Sequence, residues 1–596
     1  MRTVFAPCLV WLAVAALPPL PGQSQSPTPA GATNGERAGV RQIEAEPEAV
    51  YADRLLVKLA EGSGAEIQRG VLRSRAGFDL GRVAAIFALA EAEPLVTALS
   101  WDELDRLHRN AAAVLPEGRR PGHMGLWFRL RARSVSHALA LLAALHEQVL
   151  VEHAEQEPRF AVAGGVVMVG PTTPTPNFTS MQHPHEPAPV GHGARFAHGI
   201  YGGRGRGTGV RMVESTWVLD HEDVSQLVAS NFVGSVPAPT PYANHGLSGS
   251  SIMFADRNAY GLTGMADEVQ ARFVSIELNG GIGNAMMMAI ASSQPGDIIV
   301  VIVMVLVPAL GPGAWLPFEF IQSGFDATLT ATANSRIVVV PSGNGSRNLD
   351  DPSLLNRFDR NFRDSGAIMV GSSDAGNYFR AGYSNYGSRV DAHSWGDDVV
   401  AAGYGTLWLP PNGDPRRSYT ADATGTSAST PHIVGVVASM QGAAKKQLNR
   451  VLGNAEILDM LHSWGMATPD TIGRRPDLQR IFEVLGIHDG LAVDVPDLFP
   501  NNTMTIEMTG PTGSAQALFA SFDTADLDLG FNRHVHLGFA TMQSLGAFVM
   551  SSGGSATKSV PVPDDPSLHG VQVYFQAARV VAAGLELTNS CQVTIL

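Results

Sequence analysis

The stretch GTSASTPHIVGVVASMQGAAKKQ, residues 425–447, decides how the rest of this 596-residue chain is read. Gly425 and Thr426 permit a tight turn, Pro431 stands where the first turn of a helix tolerates proline, and an apolar helical run follows. Ser427 is thereby placed by a helix N-terminus. Backbone N–H groups and the positive end of the helix dipole stabilise an oxyanion there, which suits a nucleophilic serine. A Ser or Thr cap is the plain structural alternative for any single residue of this kind.

Working outward, residues 195–485 alternate short apolar segments (GVRMV, ARFVSI, IIVVIVMVLV, RIVVVPSG, GAIMVGSS) with helical stretches such as GNAMMMAIASSQ and FIQSGFDATLTATA. That alternation predicts an α/β fold with a doubly wound, mostly parallel sheet. IIVVIVMVLV, residues 298–307, is far shorter than the roughly 20 apolar residues of a membrane span and reads as one central parallel strand covered on both faces. From residue 495 to 596 alternating strands without helices, separated by Gly, Pro, Asn and Asp turns, predict a β-sandwich module. Before the central region, RLLVKLAEG, GLWFRLRA and VLVEHAEQEP read as strands and SVSHALALLAALHEQ as an amphipathic helix, a small α/β unit over residues 48–163. Residues 25–47 and 164–194 read as linkers.

The first residues, MRTVFAPCLVWLAVAALPPLPG, pair one basic residue with an apolar stretch and a Pro/Gly break, so residues 1–24 read as a secretory signal. Its removal would take Cys8 and leave only Cys591, so the mature chain would hold no internal disulfide. With 45% hydrophobic and 16% charged residues the chain can bury sizeable cores. A net charge of −14 argues against a nucleic-acid backbone or an anionic membrane surface as partner.

GTSASTPH resembles the active-site serine motif of the subtilisin-like peptidases (subtilases) at eight positions, and the partners of that family occur in the family's order. NHGLSGSSIMFADRNAYGLTGMA is similar to the segment in which HG opens a helix, and it implies His245 as general base. Asn344 in RIVVVPSGNGSRNLDD resembles the oxyanion-hole asparagine, a donor worth roughly 10² to 10³ in turnover. The acid aligns with Glu214 in GVRMV-ESTWVLDHEDV, where most members have Asp. This segment resembles a branch of the subtilases with Glu followed by Gln, Gly and Trp before HED, a likeness carried by Trp217 and His221-Glu222-Asp223; Asp220 and Asp223 are the weaker alternatives. The longer side chain calls for a shifted backbone or rotamer.

Further departures are Thr216 for a glycine, Leu247 for the threonine that usually follows HG, Ser251 for a helix glycine, and MVLVPALGPG for the polar strand that lines the substrate. The resemblance, which covers about residues 180–485, implies a catalytic domain over 195–488, protein or peptide substrates, and an inhibitory propeptide in the N-terminal unit. It further implies a secreted serine endopeptidase without a transmembrane anchor, needing no cofactor for its chemistry. Structural calcium is a family habit that this sequence leaves open. The alternative is a pseudopeptidase, a secreted binding or structural protein whose machinery Glu214, Thr216, Leu247 and Ser251 have eroded.

Overall fold

The computed structural model describes residues 50–594 except 78, 117, 159, 162–173, 239, 241, 376–377, 488–490, 495–502, 510–513, 523, 529–533, 538–540, 550, 552–554, 562–570, 582–583 and 588–590. The signal segment 1–24, the linker 25–47 and the start of the linker 164–194 lie outside the described residues.

The N-terminal module carries β1 (Val50–Leu59), β2 (Glu91–Pro94), α1 (Trp101–Val114), β3 (Trp127–Arg131), α2 (Val135–His146) and β4 (Val151–Pro158). Its four strands form an antiparallel sheet in the order β2-β3-β1-β4. Strand periodicity divides its faces. Leu55, Val57, Phe128 and Leu130 pack on Ala138, Leu141 and Leu145 of α2, whereas Leu56 and Trp127 join a second core with residues of the central domain. A capping box starts α1: the Ser100 side chain accepts from Glu103 N, and the Glu103 carboxylate accepts from Ser100 N. A two-residue strand, β5 (Phe160–Ala161), follows and leaves this sheet.

The central domain is built from β6 (Gly209–Glu214), α3 (Ala243–Phe254), β7 (Gln270–Ser275), α4 (Ile282–Ala291), β8 (Ile298–Val301), β9 (Met304–Leu306), β10 (Trp315–Pro317), α5 (Gln322–Ala333), β11 (Ile337–Pro341), β12 (Ile368–Ser373), β13 (Ala392–Trp395) and α6 (Thr426–Gln447). Six of its strands form a parallel sheet in the order β13-β12-β11-β8-β6-β7. Alternate residues again choose faces. Val210, Met212, Ile298, Val300, Ile337 and Val339 meet α3 and α6, while Val213, Ile299, Val301, Val338 and Val340 meet α4 and α5. Burial on both faces is why these strands read as continuous apolar runs.

IIVVIVMVLV is not one strand. It divides into β8, inside the parallel sheet, and β9, which pairs antiparallel with β10 on one side and β5 on the other. The chain leaves the main sheet at its carboxyl end, and both halves stay buried. Beyond residue 490 the described strands pair antiparallel, and Ile506 and Met508 of one sheet pack on Leu518, Phe575 and Ala577 of another. Leu491–Asp494 already pairs with Thr503–Thr509, so this module reaches back before residue 495. No helix among the described residues is long and apolar enough to cross a membrane.

Candidate active site

The candidate residues collect at the carboxyl ends of the parallel strands, the usual place for a site in an open α/β sheet. Glu214 is the last residue of β6 and is wholly buried. Its Oε1 accepts the N–H of Ser215 at 2.6 Å, and its Oε2 lies 2.9 Å from His245 Nδ1. The extra methylene is therefore accommodated by folding the side chain back onto the following amide, which leaves the second oxygen for the imidazole. Asp223, one of the weaker alternatives, is tied to Leu262 N and Asn258 Nδ2, and burial pushes its carboxyl up to about 8.

His245 stands in the first turn of α3. The adjacent Gly246 is required by contact, because a Cβ there would lie 2.3 Å from the Thr216 carbonyl oxygen and 2.7 Å from Trp217 Cδ1. Of the departures from the family pattern, Leu247 fills the core under α3. Ser251 Oγ donates to Ser248 O and accepts from Ala402 N, and Thr216 Oγ1 donates to Ala238 O. All three side chains are buried in structural roles.

The helix carrying Ser427 begins earlier than its sequence suggests. Thr426 is the first residue of α6 and Pro431 the sixth, so Pro431 lies inside the helix rather than at its start. Proline cannot donate, so the Ser427 carbonyl lacks its i+4 partner. The start is set by Gly425, which sits at φ +105°. α3 and α6 pack together, and a Cβ at Gly249 would lie 3.6 Å from Pro431 Cγ. His245 and Ser427 each lie one turn N-terminal of that contact, on the same helix faces. Among the described residues no hydrogen bond joins His245 Nε2 to Ser427 Oγ, a bond that often tightens only when substrate is bound.

Asn344 follows β11 in the loop Ser342–Gly345. Its Oδ1 accepts from both Thr426 N (3.0 Å) and Thr426 Oγ1 (2.8 Å), which fixes the amide so that Nδ2 is the free donor. A Cβ built on Gly425 would lie 2.9 Å from Asn344 Nδ2, 3.2 Å from Ser427 Oγ and 3.7 Å from Ser427 N. Glycine thus keeps open a small volume on which the hydroxyl, the side-chain amide and a backbone N–H converge, as an oxyanion pocket requires. Residues 188–463 match the Subtilase family (Peptidase_S8).

The chain is 27% identical over 257 residues to M-protease of Shouchella clausii (strain KSM-K16), covering 43% of this chain and 58% of that one. It is 29% identical over 264 residues to alkaline elastase YaB of Bacillus sp. (strain YaB), covering 43% and 59%. The chain thus spans under two thirds of the length of these relatives. Among solved structures it is similar to the epidermin leader peptide processing serine protease of Staphylococcus aureus, at 14% identity and a TM-score of 0.40, over 61% of this chain and 92% of that one.

Several participants are invisible in the sequence. Thr426 holds Asn344, and the Tyr383 hydroxyl accepts from Gly425 N at 3.2 Å while donating to Gly396 O. β9, the strand with the atypical MVLV sequence, reaches the site through Met304, whose Sδ lies 3.9 Å from Thr426 Oγ1. Only its pairing with β5, two residues long and 143 positions earlier at Ala161, shows what occupies its edge. Among the described residues no group of three or more His, Cys, Asp or Glu side chains gathers where a metal ion could be held.

Proposed function

We propose that this chain is a serine endopeptidase acting on protein or peptide substrates through an acyl-enzyme at Ser427. Ser427 Oγ attacks the scissile carbonyl, His245 Nε2 takes its proton and later gives it to the leaving amine, and Glu214 holds His245 Nδ1–H. Asn344 Nδ2 and the Ser427 N–H receive the oxyanion. The observation that carries this reading is the convergence of Asn344 Nδ2, Ser427 Oγ and Ser427 N on the space beside Gly425, in a chain where Glu214 Oε2 lies 2.9 Å from His245 Nδ1.

The N-terminal module is proposed as an inhibitory propeptide of a secreted enzyme. Its support is the antiparallel pairing of β5 on β9, with Met304 opposite Ala161 and Val305 opposite Phe160, beside Thr426. A backbone strand on that edge takes the place an extended substrate would use. The test is fluorophosphonate labelling with mapping of the modified residue. Modification of Ser427, its loss in S427A, and casein cleavage once residues 48–163 are removed are expected. A correctly folded chain that neither labels nor cleaves is the pseudopeptidase of the alternative reading.

A further inference from the structure

A glutamate in the acid position carries one more rotatable bond than an aspartate, so something must stop its carboxylate from wandering. Among the described residues, the only group that holds Oε1 is the N–H of Ser215, at 2.6 Å. Ser215 is 5% exposed and pinned at two further points: its Oγ donates to Glu277 Oε1 at 2.7 Å, and its carbonyl accepts from Ser275 Oγ at 2.8 Å. Ser275 faces Glu214 across the β6–β7 ladder, and Glu277 follows two residues later. The direction of the Ser215 N–H, and through it the carboxylate that faces His245, is thus set by a side-chain bond between residues 62 positions apart.

Resting on the endopeptidase reading above, we propose that Ser215 and Glu277 act together as positioning residues, locking the turn after Glu214 so that its second oxygen stays on His245 Nδ1. Neither touches the reacting atoms. Glu277 is exposed and lines, with Ser215, a cavity of about 300 Å³ that Arg54, Glu93, Arg129, Arg131 and Glu157 of the N-terminal module also line. In so open a place its service is to accept the Ser215 hydroxyl, which a glutamine can also do.

The experiment measures the second-order rate of fluorophosphonate labelling at Ser427, from pH 5 to 9, in the full chain and in S215A, E277A, E277Q and the double variant S215A/E277A. Labelling is expected to fall about 10-fold in S215A and in E277A, because a displaced carboxylate misplaces the base. The double variant is expected to fall no further than either single one, since both remove one bond. E277Q is expected to recover most of the loss, because a glutamine oxygen can accept the Ser215 hydroxyl. Thermal midpoints within a few degrees of the native chain identify the effect as positioning.

If the native chain labels but S215A and E277A label at its rate, or E277Q falls as far as E277A, the proposal is overturned while the endopeptidase reading stands. If the native chain does not label either as the full chain or once residues 48–163 are removed, both fall.

Discussion

Acidification from pH 7 to pH 5 should cost this protein a large share of its stability. The central domain buries His198, His221, His393 and His432, and burial drives their pKa values down to about 4, about 4, about 3 and about 3. Three of them spend a ring nitrogen on a backbone carbonyl: His198 on Met265 O, His221 on Ser418 O and His393 on Gly473 O. Each folded value lies below the ordinary 6.5, so the unfolded chain binds more protons as pH falls. The stability contributed by the neutral rings is whole above pH 6.5 and is lost on the way down to the folded values. Between pH 7 and 5 each ring loses roughly 2 kcal/mol, on the order of 8 kcal/mol for the four. Asp223 works the other way: its raised value means the folded carboxyl must hold a proton, and acidification over the same range returns roughly 3 kcal/mol. The net loss of about 5 kcal/mol compares with a total stability of roughly 5–15 kcal/mol. His185 and His192, held well below their usual range by burial, act in the same direction as the four. Urea unfolding of S427A, followed by tryptophan fluorescence at pH 7, 6 and 5, should show the midpoint falling steeply. A midpoint at pH 5 equal to or above that at pH 7 refutes the reasoning.

Three substitutions test the geometry of the site and its surroundings. Gly246→Ala sets a methyl 2.3 Å from the Thr216 carbonyl, a backbone atom that cannot yield, so α3 must move off Glu214; scanning calorimetry should show a loss of about 1–3 kcal/mol together with slower labelling. Gly425→Ala strains a residue at φ +105° by about 1–3 kcal/mol and fills the volume between Asn344 Nδ2 and Ser427 Oγ; labelling should fall by at least about 10²-fold in protein that remains folded, and unchanged labelling means that volume is not the oxyanion pocket. Trp127→Ala empties a wholly buried site in the core shared by the two modules and removes the Nε1–H bond to Asp326; the module should loosen by about 3–5 kcal/mol, read as earlier proteolysis of residues 50–158 by added trypsin.

The sequence announces most of the central sheet because its strands are buried on both faces, which leaves apolar runs at 337–340 and 368–370 and one broken by Arg211 alone at 209–213. The same signal misleads at 298–307, where hydrophobicity is equally high on either side of the point at which the chain leaves the sheet; where a buried run breaks depends on which neighbours it meets, not on its composition. The start of α6 differs from the sequence expectation for a related reason. Pro431 is the visible mark, but the boundary is set by the positive φ of Gly425, a consequence of its approach to Asn344. Motif order brings out Glu214, His245, Asn344 and Ser427, whereas the Ser215–Glu277 and Thr426–Asn344 bonds join ordinary polar residues far apart in the chain. His432 belongs to the motif by sequence, yet its depressed pKa comes from burial and from Arg475, which no motif specifies.

The nature of the contact between the N-terminal module and the central domain bears on how the site would be opened. Leu56, Leu95, Leu104, Leu107 and Trp127 of the module share one buried core with Ile276, Ile282, Met286 and Ala327 of the central domain. Asn284 Oδ1 accepts from Thr97 N and Ala98 N, and the Arg129 guanidinium, paired with Glu157, also donates to Gly280 O at 2.6 Å. A core of this kind excludes water and does not dissociate when surface charges are screened. Release by ionic strength alone is therefore a poor route. The pairing of β5 with β9 is a smaller connection, two residues on each strand. On the endopeptidase reading, exposure of the β9 edge and departure of the module become two separate events. The first needs only two strand residues to leave, while the second needs the module itself to be unfolded or digested.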